Sequence, residues 1–244
     1  MRPLASHDVV RIWEVGLGQH PVDRALTILM AAFPELPQHE LAALSIGQRD
    51  ARLLGVRERA FGPQLSGFAE CPECHARLEF DLRTTDINAS SAGDQTDQVQ
   101  QMRAEGYELS FRLPNSLDLA AIATCPDVPS ARTLLIRRCV SQSRREGAPV
   151  DPQALPEAVI EALGAQIVAR DPQAEVRLDL SCPACGHRWQ LMLDVVAFLW
   201  GEISAEAKRL LRQVHTLAGF YGWREADILS MSAARRRFYL ELLT

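Results

Sequence analysis

The sequence predicts an α+β fold, mostly helical, in which a small antiparallel sheet is split by a helical insertion. Three observations predict it. Both ends of the 244-residue chain carry apolar residues at three- and four-residue intervals, the signature of amphipathic helices. Four short stretches between them alternate apolar and polar residues, as half-buried strands do. Two Cys-Pro-x-Cys motifs, Cys71/Cys74 and Cys182/Cys185, each lie between alternating segments and so read as hairpin tips.

In order along the chain, Val9, Val10, Ile12 and Trp13 predict a first helix. Val22, Ala25, Leu26, Leu29 and Phe33 predict a second, opened by His20-Pro21 and stopped by Pro34 and Pro37. A third begins after Ser45 and runs through Leu53, Leu54 and Arg57 to Phe61, ending at Gly62-Pro63. Residues 1–63 are therefore an N-terminal helical region. From there the period changes. Leu78, Phe80 and Leu82 predict a strand, as do Tyr107, Leu109, Phe111 and Leu113, then Val176, Leu178 and Leu180, then Trp189, Leu191 and Leu193. All four are expected in one antiparallel sheet. The polar stretch Thr84–Gln101 has no apolar period and reads as a flexible loop.

Residues 117–170 return to helix, with Leu134, Leu135, Ile136 and Val140 in one segment and Val159, Ile160, Leu163 and Ile167 in another. The connection SQSRREGAPVDPQALP supplies the breakers between them. The strongest period in the chain follows: Val196, Trp200, Ile203, Ala207, Leu210, Val214, Leu217 and Tyr221, spaced alternately by four and three. Small Ala207 and bulky Trp200 in that seam favour a bundle helix inside this chain over an intermolecular coiled coil. Gly222 is its stop. His215 beside the seam reads as structural, and Arg235-Arg236-Arg237 as a solvated helix face.

Composition narrows the function classes. Hydrophobic residues make up 47% and charged residues 23%, which supports a packed core. Lys and Arg number 26 against 31 Asp and Glu, a net charge of −5, so the general cationic field that holds a phosphate backbone is missing and nucleic acid is a poor default partner. Asp8, Arg11 and Glu14 come too early for the apolar core of a secretory leader. The most apolar stretch, Val195 to Trp200, is far short of the roughly 20 residues needed to span a bilayer. These features, with paired Cys-x-x-Cys motifs typical of reduced metal chemistry, point to a cytoplasmic protein with no membrane partner.

The cysteines carry the chemistry. Zinc takes four ligands at tetrahedral corners, and two residues between cysteines let one tight turn offer both thiolates to one metal. Two such knuckles facing each other give a structural four-cysteine Zn2+ site of Cys71, Cys74, Cys182 and Cys185. The sheet is then zinc-ribbon-like, in two parts at 64–83 and 175–194, with an insertion at 84–174 and a long helix with short helices at 195–244. A redox dithiol would instead need its motif between a strand and a helix N-terminus. Two separate metal sites would need more ligands than His75 and His187. Cys125 and Cys139 lack neighbours at ligand spacing and read as buried thiols. No phosphate loop, GxSxG elbow or HExxH motif is present, so no reaction is named.

Further segments carry a resemblance. HPVDRAL (20–26), IGQRDARLLGVRERAFGPQL (46–65), the knuckles CPEC and CPACGHRW, and the ending FLWGEISAEAKRLLRQVHTLAGFYGWREADILSMSAARRRFYLELL (198–243) resemble the T-even phage baseplate hub assembly chaperone family, found also in gene clusters for extracellular contractile injection systems. The resemblance implies a non-enzymatic role in assembling a contractile-tail baseplate, with hub or spike proteins as partners and the assembled baseplate as a second location. A zinc-ribbon nucleic-acid-binding regulator is the alternative from another class. It would need a basic face around the knuckles, where Glu70, Glu73, Arg77, Glu79 and Asp81 stand on one side and Asp179, His187 and Arg188 on the other.

Overall fold

The computed structural model describes residues 1–87 and 99–243. In chain order the elements are α1 (Ser6–Gly16), α2 (Pro21–Ala32), α3 (Gln38–Ala43), α4 (Ile46–Phe61), the hairpin β1 (Gln64–Glu70) and β2 (Arg77–Arg83), and the turn α5 (Thr84–Ile87). The strands β3 (Gln100–Ala104) and β4 (Tyr107–Phe111) follow, then α6 (Ser116–Ile122), α7 (Val128–Cys139), β5 (Val140–Arg145), β6 (Ala148–Pro149) and α8 (Glu157–Arg170). A second hairpin, β7 (Arg177–Ser181) and β8 (Arg188–Met192), precedes α9 (Val195–Tyr221), α10 (Glu225–Ser230) and α11 (Ala233–Glu241). The chain is α+β and mostly helical, with small antiparallel sheets. It forms two compact units: Met1–Pro37, Leu53–Gly62 and Asp194–Thr244 in one, Gln38–Arg52 and Pro63–Leu193 in the other.

The first unit is a helical bundle around α9, against which α1, α2, α10 and α11 pack. Asp194 caps α9 by accepting from the Ala197 N–H at 2.8 Å, and Gly222 ends it in the left-handed region at φ 68°, which costs glycine nothing. Val196, Ile203, Ala207, Leu210, Val214 and Leu217 are buried, with Trp200 and Tyr221 half-buried. Burial of Val195 and Leu199 beside them widens the stripe, as a helix covered by its own chain requires. Helix α1 comes close because residue 16 is glycine: a Cβ there would fall 2.4 Å from the Trp200 ring. His20 caps α2, its Nδ1 accepting from the Val22 N–H at 3.4 Å, with Pro21 in the first turn. The buried Arg57 guanidinium donates to both carboxylate oxygens of Glu202, at 2.9 and 2.7 Å, and to the Gly62 carbonyl at 2.6 Å. His215 is exposed on α9. Arg236 departs from the expected solvated face: it is 3% exposed, while Arg235 and Arg237 face solvent.

Among the described residues the second unit holds three separate sheets where one was expected. There β1 pairs with β2 and β7 with β8, each antiparallel, while β3, β4, β5 and β6 form a four-stranded sheet in that order. Alternation along a strand encodes which face is buried and leaves the partner open. The four-stranded sheet lays Tyr107, Leu109, Phe111 and Val140 against Val159 and Leu163 of α8, with Leu155 closing the cluster. Burying each large side chain of this kind contributes about 1.5–3 kcal/mol. Its two hairpins turn on the same dipeptide, Glu105-Gly106 (φ 50° and 77°) and Glu146-Gly147 (φ 51° and 82°), the doubly positive backbone that matches strand twist. Val140, expected in the preceding helix, opens β5, and the segment 141–149, expected to break helices, continues as a strand pair. β4 ends at Phe111, short of Leu113, and β8 at Met192, short of Leu193. Of the stretch expected as a loop, Thr84–Ile87 is a helical turn and Gln100 opens β3; residues 88–98 lie outside the described residues.

Two buried polar joints fix this unit. Asp118, in the first turn of α6, accepts from Arg112 Nη1 and Nη2 at 2.5 and 2.8 Å, from Arg138 Nε at 2.7 Å and from the Asn115 N–H at 3.0 Å. The N–H of Gly47, at the start of α4, donates to Asp171 Oδ2 at 2.9 Å across 124 residues of sequence.

Candidate metal centre

The two knuckles are built alike. In the first, Glu70 pairs with Arg77 as the last rung of the β1–β2 ladder, and residues 71–76 form the tip. In the second, Ser181 pairs with Arg188 and residues 182–187 form the tip. Each first cysteine accepts at its carbonyl from a backbone N–H four residues on: His75 to Cys71 at 3.0 Å, Gly186 to Cys182 at 2.9 Å. Each also donates its N–H to a carbonyl five residues on, Ala76 at 3.0 Å and His187 at 2.8 Å. This turn puts the residue after the second cysteine in the left-handed region. Glycine meets that need at 186 (φ 75°), whereas His75 meets it at φ 59° with its ring outside the site, Nδ1 2.9 Å from Glu70 Oε1. Behind the first tip, Phe80 closes over Gly67, where a Cβ would fall 2.4 Å from Phe80 Cζ.

All four predicted cysteines converge. Their sulfurs lie within 4.8 Å of one another, with Cys71 Sγ 3.7 Å from Cys185 Sγ and Cys74 Sγ 3.6 Å from Cys182 Sγ. A tetrahedron with metal–sulfur bonds of about 2.3 Å has edges of about 3.8 Å, which these two cross-knuckle distances match. The first cysteine of each knuckle is buried and the second exposed, and none is in a disulfide. Neither His75 nor His187 joins the converging group. The cluster is compatible with a metal site.

The backbone prepares these thiols unequally. The N–H groups of Cys185 and Ala184 hold Cys182 down to about 7 against the opposing effect of burial. Burial alone would raise Cys71, but the N–H groups of Cys74 and Glu73 and the neighbouring thiols keep it below its ordinary value. The second cysteines go the other way. The His187 N–H pulls Cys185 down, yet burial and the thiols of Cys74, Cys182 and Cys71 push it up to about 12. Cys74 is likewise raised by burial and its neighbours, Cys182 and Cys71, against the Ala76 N–H. Four thiolates this close repel one another unless a cation sits among them, so the donor set fits a divalent metal.

The other two cysteines lie apart from this group. Cys139 is buried with its sulfur 3.9 Å from Asp118 Oδ2, and burial with that carboxylate pushes its thiol up to about 12. Cys125 is half-buried, short of full burial. Two features of the first unit escaped the sequence reading: the packed Arg236 guanidinium and a group of rings where α9 meets α11. The signal for both was present as FYGW and RRRFY, aromatic residues clustered beside arginine.

The fold and site define an α+β protein with two knuckle-bearing hairpins and a closed four-sulfur cluster. Four thiolates around one metal would leave no ligand position open for water or substrate. A family model described as T4 bacteriophage base plate protein matches residues 26–200, and the chain belongs to that family. The match includes the segment 46–65 and both knuckles and stops near the start of α9. No curated protein and no solved structure matches the chain. Membership supports a baseplate-related structural or assembly role, non-enzymatic in kind, with other baseplate proteins as partners. No helix among the described residues is long and apolar enough to cross a membrane.

Proposed function

We propose that the chain is a non-enzymatic assembly factor or component of a contractile-tail baseplate hub, that it works by protein–protein contact, and that Cys71, Cys74, Cys182 and Cys185 hold one structural zinc. The convergence of four sulfurs inside the family-matched span carries the reading. Zinc closes two hairpins, each of which has only two strands and would be marginal alone. On this reading 64–83 and 175–194 form one split ribbon with 84–174 inserted, and the helical segments 1–63 and 195–244 flank it. The protein covers or templates hub surfaces in the cytoplasm until neighbouring subunits dock, then stays in the baseplate or leaves.

Co-expression with the hub and spike proteins encoded beside it tests the role. Stoichiometric co-purification with one of them supports it. Recovery with nucleic acid alone, sensitive to nuclease, overturns it in favour of a regulator.

A further inference from the structure

The four sulfurs of the candidate metal centre differ in access. Cys71 and Cys182, the first cysteines of the two knuckles, are 0% and 2% exposed, whereas Cys74 and Cys185, the second, face solvent. Contact between the knuckles runs crosswise. Cys71 Sγ lies 3.7 Å from Cys185 Sγ and Cys74 Sγ 3.6 Å from Cys182 Sγ, so each close pair joins a buried sulfur of one knuckle to an exposed sulfur of the other.

An oxidant in water reaches the exposed member first, and reversible cysteine oxidation needs an exposed sulfur with a second thiol beside it to resolve the product. Both pairs supply that arrangement, with the buried cysteine as the resolving thiol. The tips that carry them are held by bonds in which no sulfur takes part: the Cys71 N–H donates to the Ala76 carbonyl at 3.0 Å and the Cys182 N–H to the His187 carbonyl at 2.8 Å. Cys125 and Cys139 lie outside the converging group.

We infer that Cys71, Cys74, Cys182 and Cys185 are also an oxidation site, at which peroxide replaces the metal clamp by two disulfides between the knuckles, Cys71–Cys185 and Cys74–Cys182. The inference rests on the four-sulfur site of the proposed function and adds its fate under oxidation. In each pair the exposed thiol gives an electron pair to hydrogen peroxide; the O–O bond breaks, one water leaves and a sulfenic acid remains. The buried thiol of the opposite knuckle attacks that sulfur, the S–S bond forms and a second water leaves. Two thiols thus lose two electrons while one peroxide is reduced to two waters. From metal-bound thiolates the same bonds form with protons drawn from solvent, and each disulfide consumes two ligands, so the divalent metal is released.

Pairing within a knuckle is the competing outcome, and it leaves the two hairpins unjoined. Crosswise pairing joins them across 114 and 108 residues of sequence. An unfolded chain favours the short closure, because the entropy cost of closing a loop rises with its length. Crosswise pairing is therefore a product of the fold.

The test treats the full chain, purified without chelator and freed of reductant, with about two equivalents of hydrogen peroxide in the presence of a colorimetric zinc indicator. The product is alkylated and digested with trypsin without reduction. Cys71 and Cys74 share the tryptic peptide 60–77, and Cys182 and Cys185 share 178–188. Crosswise pairing joins these two peptides, whereas pairing within knuckles leaves them separate. The expected result is release of the bound zinc, a fall in free thiols from six to two per chain, a joined peptide whose fragments carry the 71–185 and 74–182 bonds, and recovery of the thiols with dithiothreitol. In urea with chelator the separate peptides are expected instead. Separate peptides from the folded chain, 71–182 and 74–185 bonds, thiols that stay reduced or irreversible sulfinic acids overturn the oxidation site and leave the structural metal standing. A chain that purifies without zinc overturns the metal reading, and its disulfide connectivity decides this site in the same way.

Discussion

Replacing Asp118 by Asn tests how the second unit is held together. The carboxylate is completely buried, and both oxygens are used: Oδ2 by Arg112 Nη1 and the Asn115 N–H, Oδ1 by Arg112 Nη2 and Arg138 Nε. It therefore joins the end of β4, the start of α6 and the end of α7. Removing one partner of a buried ion pair costs about 3–5 kcal/mol. The two arginines here are 38% and 35% exposed and can rehydrate, and Asn keeps the shape and one acceptor, so the loss is smaller, about 2–3 kcal/mol. At roughly 2–4 °C per kcal/mol, the melting temperature falls by about 4–12 °C. Burial pushes the Asp118 carboxyl up, but Arg112, the Asn115 N–H and Arg138 outweigh it and hold the folded-state value below the usual range. A carboxylate shifted downward contributes stability that is fully present above its unfolded value of about 3.9 and is lost as pH falls through the folded one. Urea unfolding followed by circular dichroism should show the full gap between wild type and variant at neutral pH and a shrinking gap in acid below about pH 4. A variant as stable as wild type at neutral pH, or a gap that persists unchanged in acid, would refute the reasoning.

Gly47→Ala places a Cβ 2.0 Å from Asp171 Oδ1 and 2.9 Å from the Ala174 backbone nitrogen, so the helix start must move; a loss of about 1–3 kcal/mol is expected in denaturant titration, against no more than about 0.5 for Gly18→Ala, which has open space. Arg236→Lys replaces a planar fork that reaches α1, α9 and α10 at once by a single ammonium, and should cost about 1–3 kcal/mol. Arg237→Lys on the exposed side of the same helix should change stability by no more than about 0.5 kcal/mol, and equal effects at 236 and 237 would count against the buried network.

The helices were legible because their stops are local chemistry: His20-Pro21 opens α2, Gly62-Pro63 closes α4, and Gly222 supplies the left-handed residue after α9. The four cysteines were legible for a different reason. A knuckle has a fixed length, and one metal needs two of them however far apart they lie in sequence. The strand partners were not, because alternation says which face is buried and nothing about which edge is paired. β3 and β5 hid in polar text: Gln100–Ala104 and Val140–Arg145 each offer few apolar residues, and Val140 continues the helical spacing of Leu134 and Ile136. The two Glu-Gly turns were the missed signal, since φ is positive at both positions. Arg236 is inside and Arg235 and Arg237 outside because adjacent helix positions lie about 100° apart, which a run of three identical residues conceals.

Zinc K-edge X-ray absorption of the protein purified without chelator tests the central claim most directly. The account predicts about one zinc per chain with four sulfur scatterers at about 2.3 Å and no nitrogen or oxygen in the first shell. Protein that folds without zinc, or a shell with nitrogen or oxygen at about 2.0–2.1 Å, would contradict it.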